Sequence, residues 1–510
     1  MNDWTPPAEV FQAGRSTIGT LFSAQAAAYP DLIAVVAGEE QLTYAELDER
    51  SNRLGQLFLN RGLVRGDRVG ILARNCLEYL EVELAAAKAG IILATLNWRL
   101  AERELTHCIS LVEPKLIILQ PDLKDGVEAL DIAVPQYLEF GEDYETAVAA
   151  QPEEQPMVEV DPEDGLVILY TSGTTGLPKG ALVSHRAMIA RGMCFTSEQQ
   201  IPQFDHFMAW TPFYHMASTD QSLAVLLRAG TIHVVDGYLP DQMIEIIGRT
   251  RMQFMFLTPG MVGLFAEAVK ASGVKPAGVA ICGAMADLVP KEEIAAATSA
   301  LGAVYANTFG ATETGLAPAT ANTIPKGVAP TVLSKRQSSF CEVRLVDPDD
   351  NDVPVGQPGE VALRGPTLFS GYWKADETNA KDFRNGWFHM GDVMRRNPDG
   401  TLDYVDRVKY MIKSGGENIY PAEIEQVITR DARVTEAVVV RRSDPRWGEV
   451  PVAFVVTNQA MAEDEVVTLC RNDLSSYKLP KAVFFIQDTD LPRSTTGKIQ
   501  RHLLEARLVD

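Results

Sequence analysis

Residues 171–180 read TSGTTGLPKG and follow the apolar run LVILY at 166–170. The run is short, β-branched and uninterrupted, the pattern of a buried strand. It delivers a loop of hydroxyls, glycines and one lysine. Gly173, Gly176 and Gly180 let the backbone turn its N–H groups toward an anion, with no Cβ to hold phosphate oxygens away. Thr171, Ser172, Thr174 and Thr175 add hydroxyl donors, and Lys179 adds a mobile positive charge. The common P-loop needs a lysine directly after its last glycine and a Ser or Thr after the lysine. Here Leu177 and Pro178 intervene and Gly180 follows, so this is a phosphate-handling loop of another pattern. The bland alternative is a Gly/Thr turn between a strand and a helix.

A chain of 510 residues is too long for one hydrophobic core, so at least two domains are expected. The formal net charge of -22 argues against a nucleic-acid or anionic-membrane surface as the main partner, and an anionic ligand must be gathered by a local cluster of donors. The N-terminal residues carry no basic segment followed by an apolar run, and no window approaches eighteen uninterrupted apolar residues. Neither a signal peptide nor a transmembrane helix is expected. Cys76, Cys108, Cys194, Cys282, Cys341 and Cys470 show no CxxC pair or His spacing, and fit small buried residues in a reducing cytoplasm.

The first hundred residues alternate helix at 18–29, a short hairpin at 33–37 and 41–43, helix at 44–61, strand at 68–72, helix at 78–89 and strand at 91–96. This is the βαβ rhythm of a parallel sheet covered on both faces. A second series follows the phosphate loop: strands at 207–210, 231–235, 254–257, 279–282 and 304–306, with helices at 222–228 and 239–249. Strand ends there carry Gly, Thr or Asn, where ligands gather in open α/β sheets. Residues 342–364 change to a β-meander, and the last hundred residues form a small α+β unit with strands near 437–441 and 452–456. The fold class is therefore α/β, with a large N-terminal domain of αβ-layered sheets plus a β-rich subdomain, and a small α+β C-terminal domain.

Four stretches, taken in order, carry a resemblance: TSGTTGLPKG, NTFGATETG at 307–315, MGD at 390–392 followed by DRVKYMIKSGGENIYPAEIE, and PRSTTGK ending at Lys498. Together they resemble the adenylate-forming superfamily of acyl-CoA synthetases, luciferases and peptide-synthetase adenylation domains, from about Ile18 to Arg501. The resemblance implies a carboxylate attacking the α-phosphate of ATP to give an acyl-adenylate and pyrophosphate. A thiol, usually coenzyme A, then displaces AMP. Such chemistry needs positioning and neutralisation of charge more than covalent help.

By that resemblance, Thr171, Ser172, Gly173, Thr174, Thr175 and Lys179 hold the β- and γ-phosphates. Thr312 donates to the α-phosphate, and Glu313 holds Mg2+, a hard cation that prefers oxygen. Gly283 and Ala284, with Asn307, Thr308, Phe309 and Gly310, make the adenine slot. Asp392 accepts the ribose hydroxyls and Arg407 reaches the ribose or phosphate region. Lys498 steadies charge in the first half-reaction. Lys409 occupies the hinge position about which a small C-terminal domain rotates, exchanging Lys498 for Lys413, Ser414, Gly415, Gly416 and Glu417 along the pantetheine path. The implied division is 1–405 for adenylation, 406–410 for the hinge and 411–510 for the C-terminal domain. His215, in TPFYHMAS, matches a gate between acyl tunnel and thiol channel, with a packed histidine beside Phe213 and Tyr214 as the alternative. Trp210 and Met216 line or support the same wall.

Three positions depart from the family pattern. Met390 replaces a Thr beside Asp392. Lys335, Arg336 and Gln337 replace a Gly-rich turn at the pocket floor or rim. Asp220 and Gln221 follow the gate where apolar or Gly residues are common, which points to a polar acyl group or to a helix cap. The expected activity is an ATP- and Mg2+-dependent carboxylate:CoA ligase acting on a fatty or other hydrophobic carboxylic acid, with aryl and sterol-derived acids open and a homodimer as one option for assembly. The rivals are an adenylating enzyme that hands its acyl group to a carrier protein, disfavoured by the lack of a carrier serine motif, and a non-catalytic nucleotide-binding homologue.

Overall fold

The computed structural model describes residues 12–130, 132–134, 136–171, 177–320, 322–415, 417–493 and 499–508. Ser172, Gly173, Thr174, Thr175, Gly416 and Lys498 lie outside the described residues. The chain divides into two compact units. One holds residues up to 342 together with 364–383, and the other holds 343–363 and everything from 384 onward.

The first unit contains three main sheets. The sheet that carries the phosphate motif runs, from one edge, Tyr137–Glu139, Leu116–Leu119, Arg68–Leu72, Ile92–Leu96, Gly165–Thr171 and Lys179–Ser184. All its neighbours are parallel except the last pair. Leu116–Leu119 and Ile92–Leu96 are buried at every position, as strands covered on both faces must be. The motif therefore joins two antiparallel strands, with Thr171 opposite Lys179 and Tyr170 opposite Gly180. That differs from the strand-to-helix turn considered from sequence. The helix begins later, at His185–Glu198, where the Ser184 hydroxyl accepts the Ala187 N–H at 3.2 Å.

The rhythm of the first hundred residues divides between sheets. Ile33–Ala37 pairs with Glu40–Thr43 on one side and Thr231–Val234 on the other, and Thr231–Val234 with His206–Ala209, so this hairpin joins a different sheet from Arg68–Leu72. A capping box explains the intervening helix Tyr44–Asn60: Glu46 Oε2 accepts the Thr43 N–H at 2.7 Å, and the Thr43 hydroxyl accepts the Glu46 N–H at 3.2 Å. The third sheet places Met252–Phe256, Val279–Gly283 and Val304–Ala306 in parallel, so their carboxyl ends present Gly283–Ala284 and Asn307–Thr308 side by side. The helix expected at 222–228 starts six residues earlier, as Met216–Leu226. Its polar STDQS run is buried throughout, which hid the helix from a reading based on apolar spacing.

In the second unit the meander continues through Trp387–Arg396, which pairs with Leu402–Arg407 across the NPDG turn. The C-terminal part builds a sheet in the order Glu417–Ile419, Ile412–Ser414, Gly448–Thr457, Val434–Asp444, with Val483–Phe485 parallel to Gly448–Thr457. Ile412, Ile424, Val439, Val455 and Val466 form its apolar core. The observed architecture is the mixed α/β class expected from the sequence.

Candidate active site

Thr312 and Glu313 occupy the centre of a tight turn joining Phe309–Ala311 to Gly315–Ala319. The turn closes through the Thr314 N–H to the Ala311 carbonyl at 3.0 Å, and the buried Thr314 hydroxyl accepts the Ala311 N–H at 3.0 Å. The two arms pair antiparallel, so the motif is a hairpin. A Cβ on Gly310 would lie 2.0 Å from the Gly315 carbonyl oxygen, so only glycine allows the two arms this approach.

Three contacts fix the turn from outside. Arg191, on His185–Glu198, donates to the Thr312 carbonyl at 2.9 Å and to the Thr367 carbonyl at 3.0 Å. The Phe369 N–H donates to the Glu313 carbonyl at 2.9 Å. The Tyr372 hydroxyl donates to Glu313 Oε1 at 2.6 Å. The ring of Tyr372 in turn lies under Lys179, whose Nζ is 3.7 Å from its centroid. Residues 370–373 run antiparallel to Lys179–Ser184, through Ser370 N–H to Leu182 O at 2.7 Å and Trp373 N–H to Gly180 O at 2.8 Å. Within one unit, then, Lys179 of the phosphate motif and the Thr312–Glu313 turn are joined by a single aromatic side chain.

The donor chemistry suits a magnesium nucleotide. The Thr171 hydroxyl is buried and meets no partner among the described residues, as a donor reserved for a ligand would be. No group of three or more His, Cys, Asp or Glu able to hold a metal is found among the described residues. The Glu313 carboxylate and the neighbouring Thr312 hydroxyl would offer oxygen donors, the kind that a hard cation such as Mg2+ prefers.

The adenine-slot candidates gather at the third sheet. Gly283 has φ +106, and a Cβ there would sit 2.4 Å from the Tyr305 ring, so glycine lets the backbone pass this close to the aromatic. Asn307 is buried; its Oδ1 accepts the Ala286 N–H at 3.1 Å and its Nδ2 donates to the Leu333 carbonyl at 2.8 Å. Lys335, one of the departures from the family pattern, is fully buried; it donates to the same carbonyl at 3.2 Å and pairs with Asp287. Standing where the family pattern has a Gly-rich turn, Lys335 thus supplies an internal ion pair to the segment after Gly283.

His215 is the N-cap of Met216–Leu226, and its Nδ1 accepts the Ala217 N–H at 3.2 Å. It is exposed, which sets aside the packed alternative. The preceding segment is fixed by Asn75, whose buried amide donates to the carbonyls of Ala209, Thr211 and Val235 and accepts the Phe213 N–H at 2.9 Å. Trp210 is buried and donates to the Phe256 carbonyl at 2.8 Å. Asp220 caps nothing: it pairs with Arg191 at 3.3 Å in the middle of the helix. Burial pushes its carboxyl up, and the Arg191 charge opposes that shift.

In the second unit, Asp392 on Trp387–Arg396 lies opposite Arg407 on Leu402–Arg407. The guanidinium grips both carboxylate oxygens, Nε to Oδ1 at 2.9 Å and a terminal nitrogen to Oδ2 at 3.2 Å. Lys409 is exposed in a short 3-10 turn, with its Nζ 4.8 Å from the Tyr410 ring centroid. Lys413 and Glu417 are exposed on the hairpin formed by Ile412–Ser414 and Glu417–Ile419, whereas Ser414 is buried. Gly415 has φ +58 and a Cβ there would meet the Trp447 ring at 2.7 Å.

Comparison with known proteins gives the family. Residues 22–373 match the AMP-binding enzyme model, and residues 423–498 match the AMP-binding enzyme C-terminal domain model. The chain belongs to the AMP-binding enzyme family. It is 33% identical over 477 residues to a feruloyl-CoA synthase from Amycolatopsis sp, covering 92% of this chain and 94% of the relative. It is 30% identical over 485 residues to an indoleacetate–CoA ligase from Aromatoleum aromaticum, with 92% and 94% covered. Among solved structures, a Mycobacterium tuberculosis fatty acyl CoA synthetase superposes with a TM-score of 0.78 at 26% identity, over 96% of this chain and 98% of that one. The enzyme class of this family member is that read from its motifs, an AMP-forming acid–thiol ligase. Arg191, Tyr372 and Asn75 were not among the sequence candidates, because each acts on a segment far from it along the chain.

Proposed function

We propose that this protein is an ATP- and Mg2+-dependent carboxylate:CoA ligase whose acid is hydrophobic, with aryl acids ahead of fatty acids. The observation that carries the chemistry is the Glu313–Tyr372–Lys179 chain, which joins a divalent-cation carboxylate to a phosphate-binding lysine inside one unit. The preference for aryl acids rests on the feruloyl and indoleacetate relatives, and fatty acids stand second on the fatty acyl neighbour.

In the first half-reaction a substrate carboxylate oxygen attacks the α-phosphorus of ATP. The bond to the bridging oxygen of the β-phosphate breaks and pyrophosphate leaves. Lys179 and the hydroxyls of the loop neutralise the β- and γ-phosphates, and Thr312 donates to the α-phosphate. Mg2+, held by Glu313, would add charge neutralisation at the departing oxygens. Gly283, Ala284 and Asn307 to Gly310 receive the base, Asp392 accepts the ribose hydroxyls, and Lys498 is assigned the charge-steadying role. In the second half-reaction the CoA sulfur attacks the acyl carbon and AMP leaves, with Lys413, Ser414, Gly415, Gly416 and Glu417 along the thiol path and His215 as gate. The division at 406–410, with Lys409 in the hinge, belongs to the same proposal, and the two family models leave that segment between them.

Among the described residues no helix is long and apolar enough to cross a membrane, and all six cysteines are free thiols. Both observations support a cytoplasmic enzyme. The test is a panel of aryl, fatty and sterol-derived acids scored by AMP formation with CoA present. Turnover of cinnamate- or indole-type acids at least tenfold above C8–C16 fatty acids is expected. AMP release with a carrier-protein thiol but not CoA would replace the acceptor.

A further inference from the structure

Beyond the roles already assigned, we infer that Tyr372 is a positioning residue that sets the carboxylate of Glu313 for the cation and couples it to Lys179. The inference rests on the reading of Glu313 as the magnesium ligand. An ionised carboxylate only accepts, so the 2.6 Å contact is the phenol donating to Oε1, which fixes one oxygen of a side chain that otherwise has three rotatable bonds. The phenol is itself held at its backbone. The Tyr372 N–H donates to Asn379 Oδ1 at 2.7 Å, Asn379 Nδ2 donates to the Tyr372 carbonyl at 2.8 Å, and Tyr372 bridges to Ala181 beside the phosphate strand. Phe369 packs edge-on against its ring at 4.9 Å between centroids.

Two charges of opposite sign therefore meet one rigid ring. Glu313 is held at its hydroxyl, and Lys179 lies on its face at 3.7 Å, with Asp382 4.0 Å from the same ammonium. The face of an aromatic ring attracts a cation, so the ring directs Lys179 as well as the hydroxyl directs Glu313. A nucleotide that recruits Lys179 to its phosphates and Glu313 to its cation is then sensed by a side chain that touches neither. Replacing the hydroxyl alone separates the two functions, since phenylalanine keeps the face and loses the donor.

The experiment compares full-length Tyr372→Phe, Tyr372→Leu and Glu313→Gln without carboxylic acid or CoA. It reads the thermal shift produced by ATP across a Mg2+ titration, and Mn2+ binding by water-proton relaxation. Tyr372→Phe is expected to raise the half-saturating Mg2+ about tenfold, the share of one hydrogen bond to a charged group. It should leave the unliganded Tm and the metal-free ATP shift as in the native protein. Tyr372→Leu should add a weaker metal-free ATP shift, because Lys179 loses its platform. An unchanged Mg2+ titration in Tyr372→Phe, with a displaced one in Glu313→Gln, overturns the positioning role alone. Unchanged titrations in both overturn it together with the magnesium reading. A lowered unliganded Tm with no Mg2+ displacement in Tyr372→Phe reduces Tyr372 to packing and also overturns it.

Discussion

Two buried aspartates each hold an arginine, and their partners meet solvent very differently. Asp220 and Arg191 are both sealed, with side chains 3% and 2% exposed. The rest of the Arg191 guanidinium is taken up by the carbonyls of Thr312 and Thr367. Asp392 is as deeply buried as Asp220, but its partner Arg407 is 42% exposed. A sealed pair has no route for exchange, so its energy goes into holding backbone. A pair with one partner in solvent can admit a ligand hydroxyl beside or in place of the arginine. Burial of the partner, not of the carboxylate, separates the sealed aspartate from the one we propose binds ribose.

The largest effect should come from breaking the sealed pair. Arg191→Leu leaves Asp220 uncompensated in the interior, which costs about 3–5 kcal/mol, and calorimetry should show it. Adding Asp220→Leu should recover much of the loss, since a buried pair is often matched by apolar residues of similar volume. A cost below about 1 kcal/mol for the single change would put Arg191 in the same class as Arg407. Next in size, Asp392→Asn should leave the Tm within a few degrees of the native value. Its acyl-adenylate formation, followed by pyrophosphate release, should fall roughly 100-fold through weakened ribose binding. If stability falls and ATP use does not, the two aspartates are alike and the comparison fails.

The smallest effect sharpens the comparison through its surroundings. Glu83, near Asp220, is completely buried, and neither carboxylate oxygen meets a hydrogen-bond partner among the described residues. Burial, with the Asp220 charge adding to it, pushes its carboxyl up to about 8. An unfolded chain ionises this group near its ordinary value of 4.5, whereas the folded protein keeps the proton up to about 8. The unfolded state therefore binds fewer protons between those values, and stability falls as pH rises through the window. Glu83→Gln removes that slope. Its Tm should exceed the native value at pH 8 by a few degrees, with the advantage gone near pH 5. An advantage independent of pH would mean that Glu83 is already ionised in the fold.

Much of the site was legible because its chemistry is local. The hydroxyl and glycine spacing of 171–180, the NTFGATETG run and the MGD element mark the turns we propose to face the nucleotide, whatever surrounds them. Gly283 and Gly310 could be chosen from sequence, but the reason for them, a Tyr305 ring 2.4 Å and a Gly315 carbonyl 2.0 Å from where a Cβ would sit, exists only in three dimensions. The helix Met216–Leu226 was cut short because Ser, Thr, Asp and Gln look like loop until a neighbouring helix supplies Arg191. Lys335 looked like a charged rim and proves to be an internal partner of Asp287.

From the sequence alone came the order of the motifs, the two-part α/β class and the nucleotide chemistry, because periodicity, turn residues and functional groups act within a few residues of one another. The tertiary structure decided which sheet each strand joins, which charges are sealed, and that Tyr372 stands between Lys179 and Glu313. Those properties depend on contacts between residues 29 to 193 positions apart, and burial assigns opposite roles to the same side chain according to what packs against it.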